Sequence, residues 1–146
     1  MPGIIVGVDG SGHSQGALDW ALREAALRHA PVTVITVHDV VHGWAGRGVM
    51  YATDSEVAER AGEEARRETD EVLATLGDAR PESVEVQALN GLAAEELLNA
   101  AKDADMIVLG SRGAGGFAQL LLGSVSSQVV HHASCPVVII PAHKRG

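Results

Sequence analysis

The chain has 146 residues, a length that predicts one compact domain, and 46% of them are apolar, which excludes a largely disordered chain. A single cysteine excludes an internal disulfide and every paired-cysteine zinc or redox site, and a formal net charge of −8 opposes binding to nucleic acid or to an anionic membrane. The first apolar run, residues 4–8, is too short to span a membrane and lacks the basic flank of a signal peptide, so a cytoplasmic protein is expected.

Short β-rich apolar runs alternate with longer helical patterns along the chain. Strands are predicted at residues 4–8, 32–37, 84–88, 106–109 and 137–140. Helices are predicted at residues 14–29, after a capping box of Thr53 and Glu56 as far as Leu76, at 92–102, and at 124–132 with Ser124 as N-cap. Residues 38–52 are predicted to form a glycine-rich loop. Right-handed crossovers then predict a single α/β domain with four helices and an open, doubly wound five-stranded parallel sheet, for which we expect the order 3-2-1-4-5.

Glycines and charges are distributed unevenly around two strand ends. Of the 17 glycines, five lie in residues 3–16 and five more in residues 110–123, while all 19 acidic residues lie at or before Asp105. In a sheet of this order, ligands bind outside the carboxyl ends of strands one and four, where the winding reverses. Glycine-rich loops there can present N–H groups to phosphate oxygens, and the helix that begins near Ser124 adds the positive end of its dipole. The sequence therefore predicts an anion site at this edge.

The glycine pattern is also a specific motif. Gly110-Ser-Arg-Gly113, followed after nine residues by Gly123-Ser124, resembles the G-x2-G-x9-G-[ST] nucleotide motif of the ATP-binding subclass of the universal stress protein family. The opening Val6-Gly-Val-Asp9-Gly-Ser11 and the closing Cys135-Pro-Val-Val-Ile139 extend the resemblance over nearly the whole chain. It implies the same five-stranded fold and the binding of ATP, ADP or AMP, with Mg2+ as the expected companion ion.

The resemblance assigns roles to individual positions. The phosphate-side loop is implied at Gly110, Arg112, Gly113 and Gly116, and the phosphate-binding helix start at Gly123, Ser124, Val125 and Ser126. Contacts to the nucleoside are implied at Gly7, Val8, Asp9 and Val37, the last toward adenine. Chemically, the Asp9 carboxylate can accept from ribose hydroxyls or hold a water of Mg2+. The resemblance further implies a homodimer formed through Val137–Ile140, an uncharged run at the predicted sheet edge.

Three enzymatic motifs were compared with the sequence, and each fits it less well than the G-x2-G-x9-G-[ST] motif does. Gly12-His-Ser14-Gln-Gly16 fits the G-x-S-x-G elbow of serine hydrolases, but Ser14 follows Asp9 by five residues and is interpreted as a helix cap or start. Residues 113–118 fit a weak dinucleotide fingerprint, yet no acidic residue follows Asp105 to bind a ribose. Neither lysine follows a glycine, which excludes a P-loop.

Metal and thiol chemistry are not predicted. Two groups could gather a metal ion but lack a recognised zinc spacing: His38, Asp39 and His42, and His131, His132 and Cys135. Cys135 is interpreted as a small buried apolar residue.

The expected function is that of an ATP-responsive stress regulator without a catalytic residue, acting on a protein partner that the sequence does not identify. Two alternatives stay open: a slow ATPase or phosphotransferase, and a dimeric adaptor that does not bind nucleotide.

Overall fold

A computed structural model describes residues 3–9, 14–39, 54–111 and 123–141. Within them the elements are β1 Ile4–Val8, α1 Gln15–Arg28, β2 Val32–Asp39, α2 Asp54–Leu76, β3 Val84–Gly91, α3 Ala93–Ala100, β4 Met106–Gly110, α4 Ser124–His132 and β5 Val137–Ile140. The strands form one sheet in the order β3-β2-β1-β4-β5, and every neighbouring pair is parallel. The predicted doubly wound α/β domain is confirmed.

Both faces of the sheet are covered by helices, which explains the nearly continuous apolar runs of the strands. Ile4, Val6 and Val8 of β1 face a core shared with α1 and α2, whereas Ile5 faces a second core shared with α3 and α4. All five residues of β1 are buried. Only the carboxyl end of this central strand is therefore available to a ligand.

The ends of three strands differ from the prediction. β4 ends at Gly110, one residue beyond the expected 109. β2 was expected to end at residue 37 and β3 at residue 88, but they continue to Asp39 and Gly91, with His38 paired to Asn90 and Asp39 to Gly91. The prediction ended the strands where the apolar pattern ends. Strand pairing depends instead on backbone N–H and C=O groups, which polar residues such as His38 and Asn90 also carry. The predicted loop of residues 38–52 is wrong at its first two positions, and its other residues lie outside the described ones.

The ends of α3 and α4 also differ from the prediction. α3 is shorter than the predicted 92–102, because Leu92 is an extended N-cap and the helix ends at Ala100. Ser124 is the first helical residue of α4 and not its N-cap; the N-cap is Gly123, with φ −75° and ψ 172°. Ser14 occupies the N-cap of α1, as one of its two interpretations required, but makes no side-chain capping bond. Thr53 of the expected capping box lies outside the described residues.

Candidate functional site

The carboxyl ends of β1 and β4 lie side by side at the point where the winding of the sheet reverses. β1 pairs with β2 on one side and with β4 on the other, and the pairing of Val6 with Val108 brings Val8 level with Gly110. α1 packs on one face of the sheet and α4 on the other. A crevice between two such strand ends is the usual ligand site of an open α/β sheet.

The first turn of α4 is fixed to the end of β4 by backbone hydrogen bonds. The Gly123 N–H donates to the Ser111 carbonyl at 2.7 Å, and the Ser111 N–H donates to the Ile140 carbonyl at 2.9 Å. The Gly123 N–H also points to Ser126 Oγ at 3.1 Å, which is the half of a capping box that an N3 side chain supplies. The start of α4 is thus held against both β4 and β5.

This helix start has the properties of an anion site. The first N–H groups of a helix have no acceptor within the helix, and the helix dipole places positive partial charge there. In α4 these are the N–H groups of Ser124 and Val125, whereas the Ser127 N–H already donates to the Gly123 carbonyl at 2.9 Å. Ser124 is exposed, and no acidic residue lies in the first turn. Phosphate oxygens suit such a site.

The residues to which the sequence resemblance assigned nucleoside contacts lie in β1, just after it, and in β2 beside it. A Cβ at Gly7 would lie 2.8 Å from Leu109 Cδ2, so this glycine allows close packing inside the core. Val8 is 6% exposed, and Val37 is partly buried against the α3 and α4 side of the sheet. These three residues can offer a ligand mainly backbone atoms, whereas the side chain of Asp9 is exposed.

The phosphate-side loop is only partly described. Gly110 ends β4, whereas Arg112, Gly113 and Gly116 lie outside the described residues.

A cleft adjoins Asp9 on the α2 side of the sheet. It has a volume of about 200 Å3 and is lined by Asp9, Thr36, Ala61, Glu64 and Ala65. Ligand pockets commonly measure roughly 300–1,000 Å3, so this cleft alone is smaller than a typical ligand pocket. Glu64 at its border forms an ion pair with Arg67, which also pairs with Glu71 at 3.1 Å.

Sequence reasoning missed the carboxyl group of Glu68, which lies one helical turn beyond Glu64 of the cleft lining. Glu68 is 6% exposed, and its Oε1 atom is buried without a hydrogen-bond partner among the described residues. Burial raises the pKa of this carboxyl, and the negative charges of Asp9 and Glu64 raise it further. The sequence could have indicated that Glu68 is buried, because position 68 continues the helical spacing of Ala61, Ala65 and Val72, the face of α2 that packs on the sheet.

Comparison with known proteins agrees with the resemblance at the level of family. Residues 2–141 match the universal stress protein family. The chain belongs to this family. A universal stress protein of Mycolicibacterium smegmatis is 39% identical over 140 residues, which cover 94% of this chain and 47% of that protein. The chain spans about half the length of the curated relatives it matches.

Two solved universal stress proteins that resemble this one were crystallised with nucleotides. One, in complex with cAMP, has a TM-score of 0.67 at 25% identity, and the match covers 96% of each chain. The other, from Archaeoglobus fulgidus in complex with dAMP, has a TM-score of 0.62 at 25% identity and covers 96% of this chain and 98% of its own. The shared fold extends over almost all of this universal stress protein.

The rival sites of the sequence analysis lack geometric support where the structure describes them. Ser14 is 4% exposed at the start of α1, whereas a hydrolase elbow exposes its serine. Cys135 packs partly buried in the second core, where burial raises the pKa of its thiol and disfavours the nucleophilic thiolate. Within the described ranges no three His, Cys, Asp or Glu side chains are arranged to hold a metal ion; His42 lies outside them. None of the described helices is long and apolar enough to cross a bilayer.

Proposed function

We propose that this universal stress protein binds an adenine nucleotide, ATP, ADP or AMP, at the edge formed by β1 and β4, and that nucleotide occupancy regulates a stress-response partner. The observation that carries the proposal is the bond from the Gly123 N–H to the Ser111 carbonyl, 2.7 Å long, which fixes the start of α4 beside the end of β4. The G-x2-G-x9-G-[ST] motif and the nucleotide complexes of two relatives support it.

In the proposed orientation the phosphates lie at the start of α4 and the nucleoside lies over the end of β1. The N–H groups of Ser124 and Val125 and the Ser124 hydroxyl donate to phosphate oxygens, while Asp9 accepts from the ribose hydroxyls. Arg112, which lies between β4 and α4 in the sequence, adds a positive charge.

Magnesium fits this proposal as a companion of the phosphates. Mg2+ is usually held by substrate phosphates and water with one or two protein oxygens, and the Ser124 hydroxyl is one such oxygen in the exposed first turn of α4. The ion would neutralise phosphate charge. Among the described side chains no cluster is built to hold it without the nucleotide.

The direct test is the identity of the bound ligand. Protein purified without added nucleotide should release an adenine nucleotide on denaturation, identified by mass spectrometry, and the emptied protein should bind ATP in calorimetry. Absence of nucleotide from the native protein, together with no measurable ATP binding, would favour an adaptor that works without nucleotide.

We further propose that bound ATP is a ligand and not a substrate that turns over. Fast phosphoryl transfer requires a group that positions the nucleophile, metal neutralisation of phosphate oxygens and cationic stabilisation of the transition state. Arg112 is the only lysine or arginine between residues 103 and 143, and no carboxylate follows Asp105. Single-turnover phosphate release with Mg2+ should therefore be far slower than the roughly 1–100 per second of kinases. A rate inside that range would identify an enzyme instead.

The last part of the proposal is a homodimer that pairs β5 with β5 of a second copy. Val137–Ile140 forms one edge of the sheet, and each of its residues is only partly buried. The opposite edge, β3, carries the exposed carboxylate of Glu85, which discourages pairing. A dimer of this kind would offer its protein partner a surface that includes two nucleotide sites.

A further inference from the structure

α2 carries a carboxyl group on the side that faces the sheet. α2 packs against β2 and β3, and its buried residues Ala65 and Leu73 belong to the core that it shares with α1. Glu68 lies between these two positions and is 6% exposed, and within the described part of the chain no donor reaches its Oε1 atom. An ionised carboxylate is strongly disfavoured in such surroundings, whereas a neutral carboxylic acid is tolerated much better. The packing of α2 therefore favours protonated Glu68.

The charges around Glu68 reinforce this preference. Asp9 approaches from the end of β1, and Glu64 and Glu71 approach from α2 itself; together with burial, the largest cause, they raise the pKa of Glu68. Arg67 acts in the opposite direction, but its guanidinium is shared between Glu64 and Glu71.

The elements packed against α2 carry further charged or titratable groups, and none of these is among the causes of the raised pKa of Glu68. His38 lies two residues beyond Thr36 on β2 and so on the same face of the sheet. The charged residues of α1 pair with one another, Arg23 with Asp19 at 3.0 Å and Arg28 with Glu24 at 2.7 Å. On β3, Glu85 accepts from Gln87 at 2.6 Å. His38 is the one imidazole among these groups, so it has its own control variant.

The location of Glu68 connects its proton to the ligand site. Asp9 and Glu64 both line the cleft of about 200 Å3 that separates α2 from the ends of β1 and β2. Hydration of an ionised Glu68 requires water to enter through this region or α2 to move away from the sheet. Either change alters the surroundings of Asp9.

We propose that Glu68 is a proton-linked positioning residue: protonated, it lets α2 close over the ends of β1 and β2, and ionised, it loosens α2 and adds negative charge beside Asp9. The consequence for ligand affinity rests on the proposed function, because a nucleotide is itself an anion. Proton linkage determines whether α2 is held more or less firmly as pH rises. The folded form retains the proton above the ordinary pKa of a glutamate, so α2 is held most firmly at low pH and loosens as pH rises through the raised pKa.

The first experiment needs no ligand. Hydrogen exchange of the α2 amides is compared at each pH between the natural protein and Glu68→Gln, which keeps the shape of the side chain and cannot ionise. The ratio of the two exchange rates should rise with pH by up to about tenfold per unit, the limit for one titrating carboxyl. Glu63→Gln, which removes an exposed charge from the same helix, should follow the natural protein, and His38→Gln should retain the rise. An unchanged ratio would overturn the proposal, as would a rise that disappears in His38→Gln.

The second experiment measures ATP affinity over the same pH range. The natural protein should lose affinity relative to Glu68→Gln as pH rises, and its binding should take up protons, seen as a dependence of the calorimetric heat on the buffer. If ATP binds with one pH profile to both proteins, Glu68 does not control the site and only the nucleotide proposal survives. If neither protein binds ATP at any pH, the nucleotide proposal and its link to Glu68 both fail, while hydrogen exchange still decides whether Glu68 controls α2.

Discussion

Gly123→Val is expected to weaken ATP binding by roughly 10- to 150-fold for each phosphate hydrogen bond it removes, since a charge-assisted bond contributes about 1.5–3 kcal/mol. Glycine places no side chain beside the N–H groups of Ser124 and Val125, whereas we expect the valine methyl groups to hold a phosphate away from them. The fold should survive, because φ −75° and ψ 172° is extended backbone that valine adopts readily. Calorimetry with ATP measures the affinity, and urea unfolding measures the stability.

A graded pair of variants on the same helix provides the control. Ser126 is 4% exposed, and its Oγ receives the Gly123 N–H at 3.1 Å, so Ser126→Ala should loosen the first turn and lower the affinity by a smaller factor. Ser127 contributes its backbone to the same turn but no side-chain bond to Gly123, so Ser127→Ala should bind ATP like the natural protein. Full affinity in a folded Gly123→Val protein would remove the start of α4 from the nucleotide site.

The parallel, doubly wound arrangement of the strands was predictable from the apolar pattern and from general rules of chain connection. Apolar runs such as residues 4–8 indicate strands buried on both faces, and the handedness of parallel crossovers leaves few topologies. The strand ends were less predictable, because the pairing of His38 with Asn90 uses backbone groups and not side-chain polarity. The N-cap of α4 was predicted one residue too late for a related reason. The serine side chain that accepts from the N-cap N–H is that of Ser126, three residues after Gly123.

The candidate site was predictable where a motif marks it and not where burial creates it. The two glycine segments located the ends of β1 and β4 correctly, because strand ends in a parallel sheet share one edge. Glu68 was not identified, because its raised pKa comes first from burial and then from the charge of Asp9, which is distant in sequence and close only in the folded chain. The sequence pattern predicted that position 68 faces the sheet. It could not predict that Oε1 has no hydrogen-bond partner among the described residues.

Ile139→Pro is expected to convert the proposed dimer into a monomer. β5 directs the carbonyls of Pro136 and Ile140 toward β4, where they accept from Ile107 at 3.0 Å and from Ser111 at 2.9 Å. Because these directions alternate along a strand, the backbone groups of Ile139 face outward, to the edge where a second copy would pair. Proline there removes an N–H from that edge while leaving the bonds to β4 intact, which edge strands tolerate.

Light scattering at micromolar concentration should give twice the chain mass for the natural protein and about one chain mass for Ile139→Pro, with matching circular dichroism. Ile139→Val keeps the N–H and a β-branched side chain in the second core, so it should remain dimeric. The comparison separates backbone pairing from side-chain packing: if both variants dissociate, apolar contacts of β5 hold the dimer, and if neither does, the copies associate elsewhere or through a different edge. A monomeric natural protein would exclude the β5 interface outright, and the partner surface would then have to be built from one domain.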